Sequence, residues 1–336
     1  MTKISICVPA YNGEKEIPEL IESLLPQIQP GVAIIFSDDK STDNTYNLLK
    51  EYEKKYAFIK VFQNEKNLGM DGNFAQSVLY AKSEYVWLCG QDDIFNPGAI
   101  DKFFEIARKY PEVNFVYFNY RFLNGDLTKE VSKPAISNLN EDRFFLESDE
   151  YFNKLDQAPS FLPAIIMKRQ FWDQVDYQYF FGTHYVQVGV WLSCFNKGNV
   201  YVVADPKFIV CRVPEDSWKN TSGQMLFEIF SGTFEVYKKI YEGENNCLPR
   251  EVYEKIKNNY SQHFLTATFN EKILGFKPND LLIKRMKYLF NNRPLFYLLV
   301  VLPIFYTPKG MAGIVIFSTQ KMRVLKKLIY WFLRFK

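Results

Sequence analysis

Over the first 120 residues, short apolar runs alternate with stretches that place an apolar side chain every third or fourth position. Lys3–Val8, Val32–Phe36, Ile59–Gln63, Tyr85–Cys89 and Asn114–Tyr120 read as buried strands. Between them, Ile17, Leu20, Ile21, Leu24 and Leu25 outline a helix that stops near Pro26. Thr42 and Asp43 are N-cap residue types ahead of a helix carrying Leu48, Leu49 and Tyr52. Phe74–Ala81 forms a third helix pattern, and Pro97-Gly98 opens a fourth over Ile100–Lys109. Strands alternating with helices predict a mixed, mostly parallel sheet with helices on both faces. Residues 124–150 are polar and turn-rich and are expected to be a mobile loop. A strand over 160–168, a helix over 186–196 and a strand over 200–211 follow. Beyond Trp218 the pattern turns helical, over 224–242, 249–273 and 279–291.

The last stretch differs in kind. Leu295–Tyr306 is apolar but interrupted by Pro303, and Met311–Phe317 is a second apolar run. A spanning helix needs about twenty apolar residues, so neither run is expected to cross a bilayer. Gln320–Lys336 sets Met322, Leu325, Leu328, Ile329 and Phe332 at helical spacing with Lys and Arg between them, the profile of a helix lying on an anionic membrane surface. The alternative is a helix that packs back on the fold with its basic side in water. The division expected is 1–218 for the α/β domain and 219–336 for a helical region whose membrane-surface tail covers about 295–336.

Charge sharpens this picture. The chain has 336 residues, with 41 basic against 38 acidic ones. From Leu281 onward there are eleven Lys or Arg and no Asp or Glu, so the net charge of +3 hides an acidic body and a basic, aromatic end. Such an end suits a membrane surface, and no nucleic-acid-binding motif accompanies it. Hydrophobic content of 47% is ordinary for a globular protein. Five cysteines (7, 89, 194, 211, 247) form no C-x-x-C pair, which argues for reduced thiols in the cytoplasm and against a disulfide or zinc framework. Strand-like residues begin at Ile4, so no signal peptide is expected ahead of the fold.

Two of the apolar runs end in adjacent carboxylates, Asp38-Asp39 and Asp92-Asp93. A buried strand has no packing use for paired acids at its tip, since unpaired buried charge costs several kcal/mol. In an open parallel sheet the carboxyl ends of strands are where ligands sit. Carboxylates gathered there suit a hard divalent cation together with a ribose or base, and hence a nucleoside-diphosphate ligand. The plainer alternative is that Asp92 and Asp93 cap the helix near Pro97, and capping is the favoured role for Asp43.

Four stretches carry a family resemblance: Ser5-Ile6-Cys7-Val8-Pro9-Ala10-Tyr11-Asn12, Asp38-Asp39-Lys40-Ser41-Thr42-Asp43, Asn67-Leu68-Gly69 with Asn73, and Gly90-Gln91-Asp92-Asp93. In order and spacing they resemble family 2 glycosyltransferases of the GT-A fold. Ser160–Met167 and Arg212 with Ser217-Trp218 are similar to the abequosyltransferase-like branch. The resemblance implies a Rossmann-like α/β fold, a nucleotide-sugar donor and a Mn²⁺ or Mg²⁺ cofactor. It implies that Asp92 holds the metal, with Gln91 on the donor and Asp93 as a helper. The acid that faces the ribose in the family's D-x-D falls on Gly90. Asp39 is implied at the base, Asp38 at the ribose or in orientation. Pro9, Ala10 and Tyr11 would form a floor under the base, Tyr11 being either a stacking ring or a core residue. Asn67, Gly69 and Asn73 would bracket the diphosphate, with Asp71 and Arg212 as further donor contacts; Arg212 could instead belong to a loop packed on the domain.

An inverting transferase needs a group to take the acceptor proton. The family's Glu-Asp before a Lys-Gly aligns here with Val186 and Gln187, ahead of Lys197-Gly198, and neither is a base. His184 is the nearest ionisable residue and the expected base, with Asp173 and Asp176 in reserve; a structural histidine in the Gly182–Tyr185 turn is the alternative. Trp191 reads as core. The function expected is metal-dependent, inverting transfer of a sugar to a growing bacterial surface glycan, carried on a polyprenyl diphosphate at the inner face of the cell membrane. A soluble saccharide or protein acceptor, with the tail serving homo-oligomer contacts, and a non-catalytic nucleotide-sugar-binding module are the alternatives.

Overall fold

The computed structural model describes residues 3–155, 159–195, 198–213, 223–244, 246–273 and 280–306. Compact packing divides the chain into two units, Met1–Lys219 with Gly232–Tyr253, and Asn220–Ser231 with Glu254–Lys336.

The first unit is built on an eight-stranded sheet. Its strands are β1 (Ile4–Ala10), β2 (Val32–Asp38), β3 (Ile59–Gln63), β4 (Tyr85–Leu88), β6 (Phe115–Phe118), β9 (Arg143–Phe145), β10 (Ile165–Lys168) and β11 (Val200–Val203), in the order β3-β2-β1-β4-β10-β6-β11-β9. β10 runs antiparallel to both neighbours and β9 antiparallel to β11; the other pairings are parallel. Every residue of β1 is buried, on both sides of the pleat, which requires cover on both faces of the sheet. Cover comes from helices including α1 (Ile17–Leu24), α2 (Thr45–Lys55), α3 (Gly69–Tyr80) and α4 (Ala99–Lys109). In α1, Ile17, Leu20, Ile21 and Leu24 are fully buried, the stripe its spacing predicts.

A second sheet, β5-β12-β7-β8, comprises β5 (Ile94–Phe95), β7 (Tyr120–Asn124), β8 (Glu130–Ser132) and β12 (Ile209–Val213). The single strand read over 114–120 is thus two, parted at Asn119. The buried Asn119 amide donates to the Ile136 and Ala204 carbonyls (2.9 and 2.8 Å) and accepts from the Tyr120 and Ile136 N–H groups (2.9 and 2.8 Å). One side chain therefore satisfies backbone that neither sheet pairs. The run over 200–211 likewise splits into β11 and β12, parted by a turn in which Asp205 Oδ1 accepts the Lys207 N–H at 3.0 Å. The polar segment 124–150 is not a bare loop, since β8, β9 and the start of α5 (Ser148–Leu155) lie in it, held by Phe145, Tyr151 and Phe152 packed into the core.

α6 (Arg169–Asp173), α7 (Val186–Phe195) and part of α8 (Gly223–Glu242) complete this unit. Trp191 is fully buried. In the second unit, α9 (Arg250–Ile273, from Glu254) is tied to the turn just past α10 (Asp280–Leu289) by a hydrogen bond from Lys257 Nζ to Asn291 Oδ1 at 2.7 Å. A helical segment over 294–306 buries Phe296, Tyr297 and Val301 and exposes Leu295, Leu298, Leu299 and Tyr306. Among the described residues no helix is long and apolar enough to cross a membrane. The basic helix expected over 320–336, and Ser217, Trp218 and Lys197, lie outside the described residues.

Candidate functional site

The register from β1 to β2 runs through Ala10 opposite Asp38, and that from β1 to β4 reaches Cys7 opposite Leu88. Residues 9–12, 38–41 and 89–93 therefore emerge together at the carboxyl edge of the central strands. Burial there forces each polar group to find a partner. The Asp39 N–H donates to the Ala10 carbonyl at 2.8 Å. Its carboxylate accepts from Asn64 Nδ2 (2.8 Å), Leu68 N–H (2.8 Å) and Gly69 N–H (3.0 Å), so Asp39 caps the N-terminus of α3 from the neighbouring strand. This explains why α3 starts at Gly69, a turn and more before the apolar pattern begins. Gly69 adopts φ +73° with open space where a Cβ would stand, and Asn67 Oδ1 accepts its N–H at 2.9 Å.

Asp38 is fully buried but used differently. Its Oδ2 accepts from Gln63 Nε2 (2.9 Å) and Ser41 N–H (3.3 Å), while Oδ1 has no protein partner. Of the two acids, Asp38 thus keeps the unsatisfied oxygen at this edge and Asp39 spends both of its own on the turn. Asn73 donates to the Ala10 carbonyl (3.2 Å) and accepts from Asn64 (3.1 Å). Asn64 is a hub that sequence reasoning missed; the only signal was an amide placed just past the end of β3. Pro9 and Ala10 are buried in β1, and the Tyr11 ring is 46% exposed beyond it. Asn12, at φ +50°, accepts from the Thr42 N–H at 2.8 Å and ties this corner to the loop before α2. Asp43 Oδ1 accepts from Thr45 N–H at 3.0 Å at the start of α2.

The 90–93 turn carries the second acidic pair. Gln91 is consumed in a two-way clamp on Tyr11, accepting its N–H (2.9 Å) and donating to its carbonyl (3.2 Å). Asp93 is buried, and its Oδ2 accepts the Gly90 N–H. Burial first, and the like charge of Asp92 second, push its carboxyl well above the ordinary range; the Gly90 bond and the Arg212 guanidinium pull the other way. Asp92 is exposed, and among the described residues no hydrogen bond or ion pair holds its carboxylate. A Cβ on Gly90 would stand 2.8 Å from Asp93 Oδ2 and 3.0 Å from Asp92 Oδ1. Glycine at position 90 leaves room for both carboxylates to fold over the turn.

β5 pairs antiparallel with β12, with Ile94 opposite Val210, and the same register leads on to Asp93 and Cys211. Burial, then Asp93 and Asp92, push the Cys211 thiol up to about 12. Arg212 pairs with Glu19 at 2.7 Å, and its buried Nε lacks a partner.

Across this edge stands the turn before α7. Asp71, 5% exposed in the first turn of α3, accepts from the His184 N–H (2.9 Å) and the Val186 N–H (3.1 Å). His184 has φ +64°, and its Nδ1 is buried without a partner. Val186 and Gln187 are buried in α7. Asp173 lies elsewhere: α6 begins where the Arg169 N–H meets the Glu84 carbonyl, at the amino edge of β4, and Asp173 pairs with Arg169 at 3.3 Å. The site therefore unites residues from β1, β2, α3, the 90–93 turn, β12 and the 183–186 turn, and leaves Asp173 out.

The donor set can be tested for a hard cation. Among the described residues no three His, Cys, Asp or Glu side chains cluster as a metal cage. One free carboxylate, Asp92, beside a buried one fits an ion such as Mg²⁺ that takes one or two carboxylates and completes its shell with substrate phosphates and water.

Comparisons with known proteins bear on the family and the fold of the chain. The family model described as Glycosyl transferase family 2 matches residues 5–172. An abequosyltransferase, RfbV, from Salmonella typhimurium is 28% identical over 239 residues, covering 64% of this chain and 68% of that protein. Among solved structures, S. aureus TarS 1-349 in complex with UDP superposes with a TM-score of 0.61 at 19% identity, covering 87% of this chain and 81% of that one. A mannosyltransferase from Pyrobaculum calidifontis, in complex with GDP-Man and Mn²⁺, gives a TM-score of 0.54 at 13% identity over 95% and 86% of the two chains. At those identities the two structures bear on the fold alone.

Proposed function

The chain belongs to glycosyl transferase family 2, and from that premise we propose that it moves one sugar, with inversion, from a nucleoside-diphosphate donor to a growing bacterial surface glycan. The observation that carries this reading is the contrast among the edge carboxylates: Asp39 and Asp71 are spent on backbone N–H groups, whereas Asp38 keeps a buried unpartnered oxygen and Asp92 stands free. Asp38 Oδ1 suits the N–H of a pyrimidine base or a ribose hydroxyl, with the half-exposed Tyr11 ring as the surface on which the base stacks. Asn67 and Gly69 would set backbone close to the diphosphate, and Arg212, paired with Glu19 at 2.7 Å, would face its charge from β12. Asp92 would hold Mn²⁺ or Mg²⁺, with Asp93 beside it as helper. Bound there, the ion neutralises charge that develops on the leaving diphosphate.

His184 is assigned as the base. The acceptor hydroxyl oxygen attacks the anomeric carbon as the bond to the nucleoside diphosphate breaks, and its proton passes to the imidazole. The left-handed backbone of His184 is costly for a non-glycine residue, of order 1–3 kcal/mol, and such conformers concentrate at functional sites. The acceptor is assigned as a polyprenyl-diphosphate-linked saccharide. Support comes from the exposed Leu295, Leu298 and Leu299 and from the eleven basic residues, without acids, from Leu281 onward, which together suit the inner surface of a cell membrane.

The test is a thermal-shift panel of UDP-, dTDP-, CDP- and GDP-sugars with and without Mn²⁺. One donor at about 100 times its Kd should stabilise by ~2.7 kcal/mol, and chelator or Asp92→Asn should abolish most of that gain. No response to any donor, or a response indifferent to both chelator and substitution, refutes the assignment. For the acceptor, removal of residues past 294 should release the protein from anionic vesicles; equal binding without them refutes the membrane assignment.

A further inference from the structure

Asp71 and His184 are separated by 113 positions, yet the Asp71 carboxylate accepts the His184 N–H at 2.9 Å and the Val186 N–H at 3.1 Å. The 182–186 turn is constrained from four directions. Gly182 and His184 both have positive φ, +80° and +64°. The buried Thr183 hydroxyl donates to the Phe180 carbonyl at 2.7 Å and accepts from the Tyr185 N–H at 3.1 Å. Gly232 on α8 comes so close that a Cβ there would stand 1.7 Å from the Thr183 carbonyl oxygen. Asp71 supplies the fourth constraint, from α3.

A short loop does not keep a non-glycine residue in the left-handed region unless its surroundings over-determine it. Two of the backbone donors at the start of α7 are satisfied by the carboxylate of a helix distant in sequence. That helix is itself pinned, since Asp39 holds the Leu68 and Gly69 N–H groups at its N-terminus. Hydrogen bonds at either side of the first turn of α3 thus tie it to the end of β2 and to the backbone of His184.

We propose that Asp71 is a positioning residue, which does not touch the donor but fixes the His184 turn and aligns the imidazole with a site organised by β2 and α3. The inference rests on the assignment of His184 as base. Both Asp71 oxygens are directed at backbone N–H groups, which is why the donor contact expected of it from sequence gives way to this role.

The chain contains two histidines, 184 and 263, so their imidazole carbon-bound protons can be followed separately by NMR, with a His263→Gln variant assigning the pair. In Asp71→Asn, one backbone N–H must face an amide N–H instead of a carboxylate oxygen. The His184 resonance should then shift or broaden while that of His263 stays in place. kcat should fall about 10-fold or more, UDP-sugar affinity should stay within about twofold, and adding His184→Gln to Asp71→Asn should cost little beyond His184→Gln alone. Asp71→Ser, which keeps one acceptor, serves if the Asn variant does not fold.

An unmoved His184 resonance overturns the proposal. So does a 10-fold loss of donor affinity at unchanged kcat, which would make Asp71 a donor ligand, or fully additive losses in the double variant. If instead His184→Gln alone retains wild-type kcat, the base assignment fails while a shifted resonance still confirms the contact. The two failures are therefore separable.

Discussion

The two halves of the site are built on opposite plans. The side proposed for the donor, residues 9–12, 38–41, 64–69, 73 and 90–93, gathers at the ends of adjacent strands, and its bonds cross between neighbouring β-α connections. The His184 side is one turn, shaped by Thr183 within it and by Asp71 and Gly232 from helices remote in sequence. On the donor side most polar atoms are consumed in holding the edge together, which leaves a few free groups sharply defined. On the other side a single side chain is presented by a backbone that its neighbours must hold in a costly conformation. A ligand site with many anchors can thus be written locally, whereas the placement of one reacting group depends on contacts between distant segments.

The contrast can be broken most forcefully at Asp92. Because that carboxylate is exposed and unbonded, Asp92→Asn should lower turnover by about 10²–10³-fold with folding stability changed by no more than ~0.5 kcal/mol, read from initial rates and a thermal melt. A large loss of stability would show that Asp92 is a structural tie like its neighbours. His184→Gln should reduce kcat by about 10²-fold while donor binding, followed by calorimetry, is preserved. A parallel loss of donor affinity would erase the distinction between the two sides. Asp39→Ala should act in the reverse sense. It strips acceptors from Leu68, Gly69 and Asn64 and should destabilise by about 2–4 kcal/mol in chemical denaturation. The mildest case is Gly90→Ala, whose Cβ would crowd both Asp92 and Asp93 and should raise the donor KM about tenfold with kcat little changed. A neutral result there would mean that the carboxylates can fold over the turn with a side chain at position 90.

The acidic strand ends were largely legible from the chain. Asp38-Asp39 and Asp92-Asp93 were visible because acids at the ends of apolar runs contradict burial, and Pro9–Tyr11 because they end the first such run. Division of labour within each pair was not visible, because it depends on which oxygen a neighbouring segment reaches. Asn64 donates to Asp39 and Asn73, and Asn73 in turn donates to the Ala10 carbonyl, and nothing in their spacing announces it. Gln91, expected on the donor, is spent on the Tyr11 backbone for the same reason. The strand read over 114–120 became two because Asn119 satisfies four backbone groups at the junction, which hydropathy cannot register.

From the sequence by itself came the alternation of strands and helices, the acidic strand ends and the basic, acid-free end of the chain, all of them properties of residues close together along the backbone. Tertiary structure alone decided that Asp38 and Asp92 keep free oxygens, that Gly90 makes room for two carboxylates, and that Asp71 holds the histidine turn. The hydrogen bonds behind them, of 2.8–3.1 Å, join segments tens of residues or more apart, and the clearance at Gly90 depends on how the 90–93 turn folds its two carboxylates back. A linear pattern specifies which chemical groups are present, and only packing determines which of them still lack a partner.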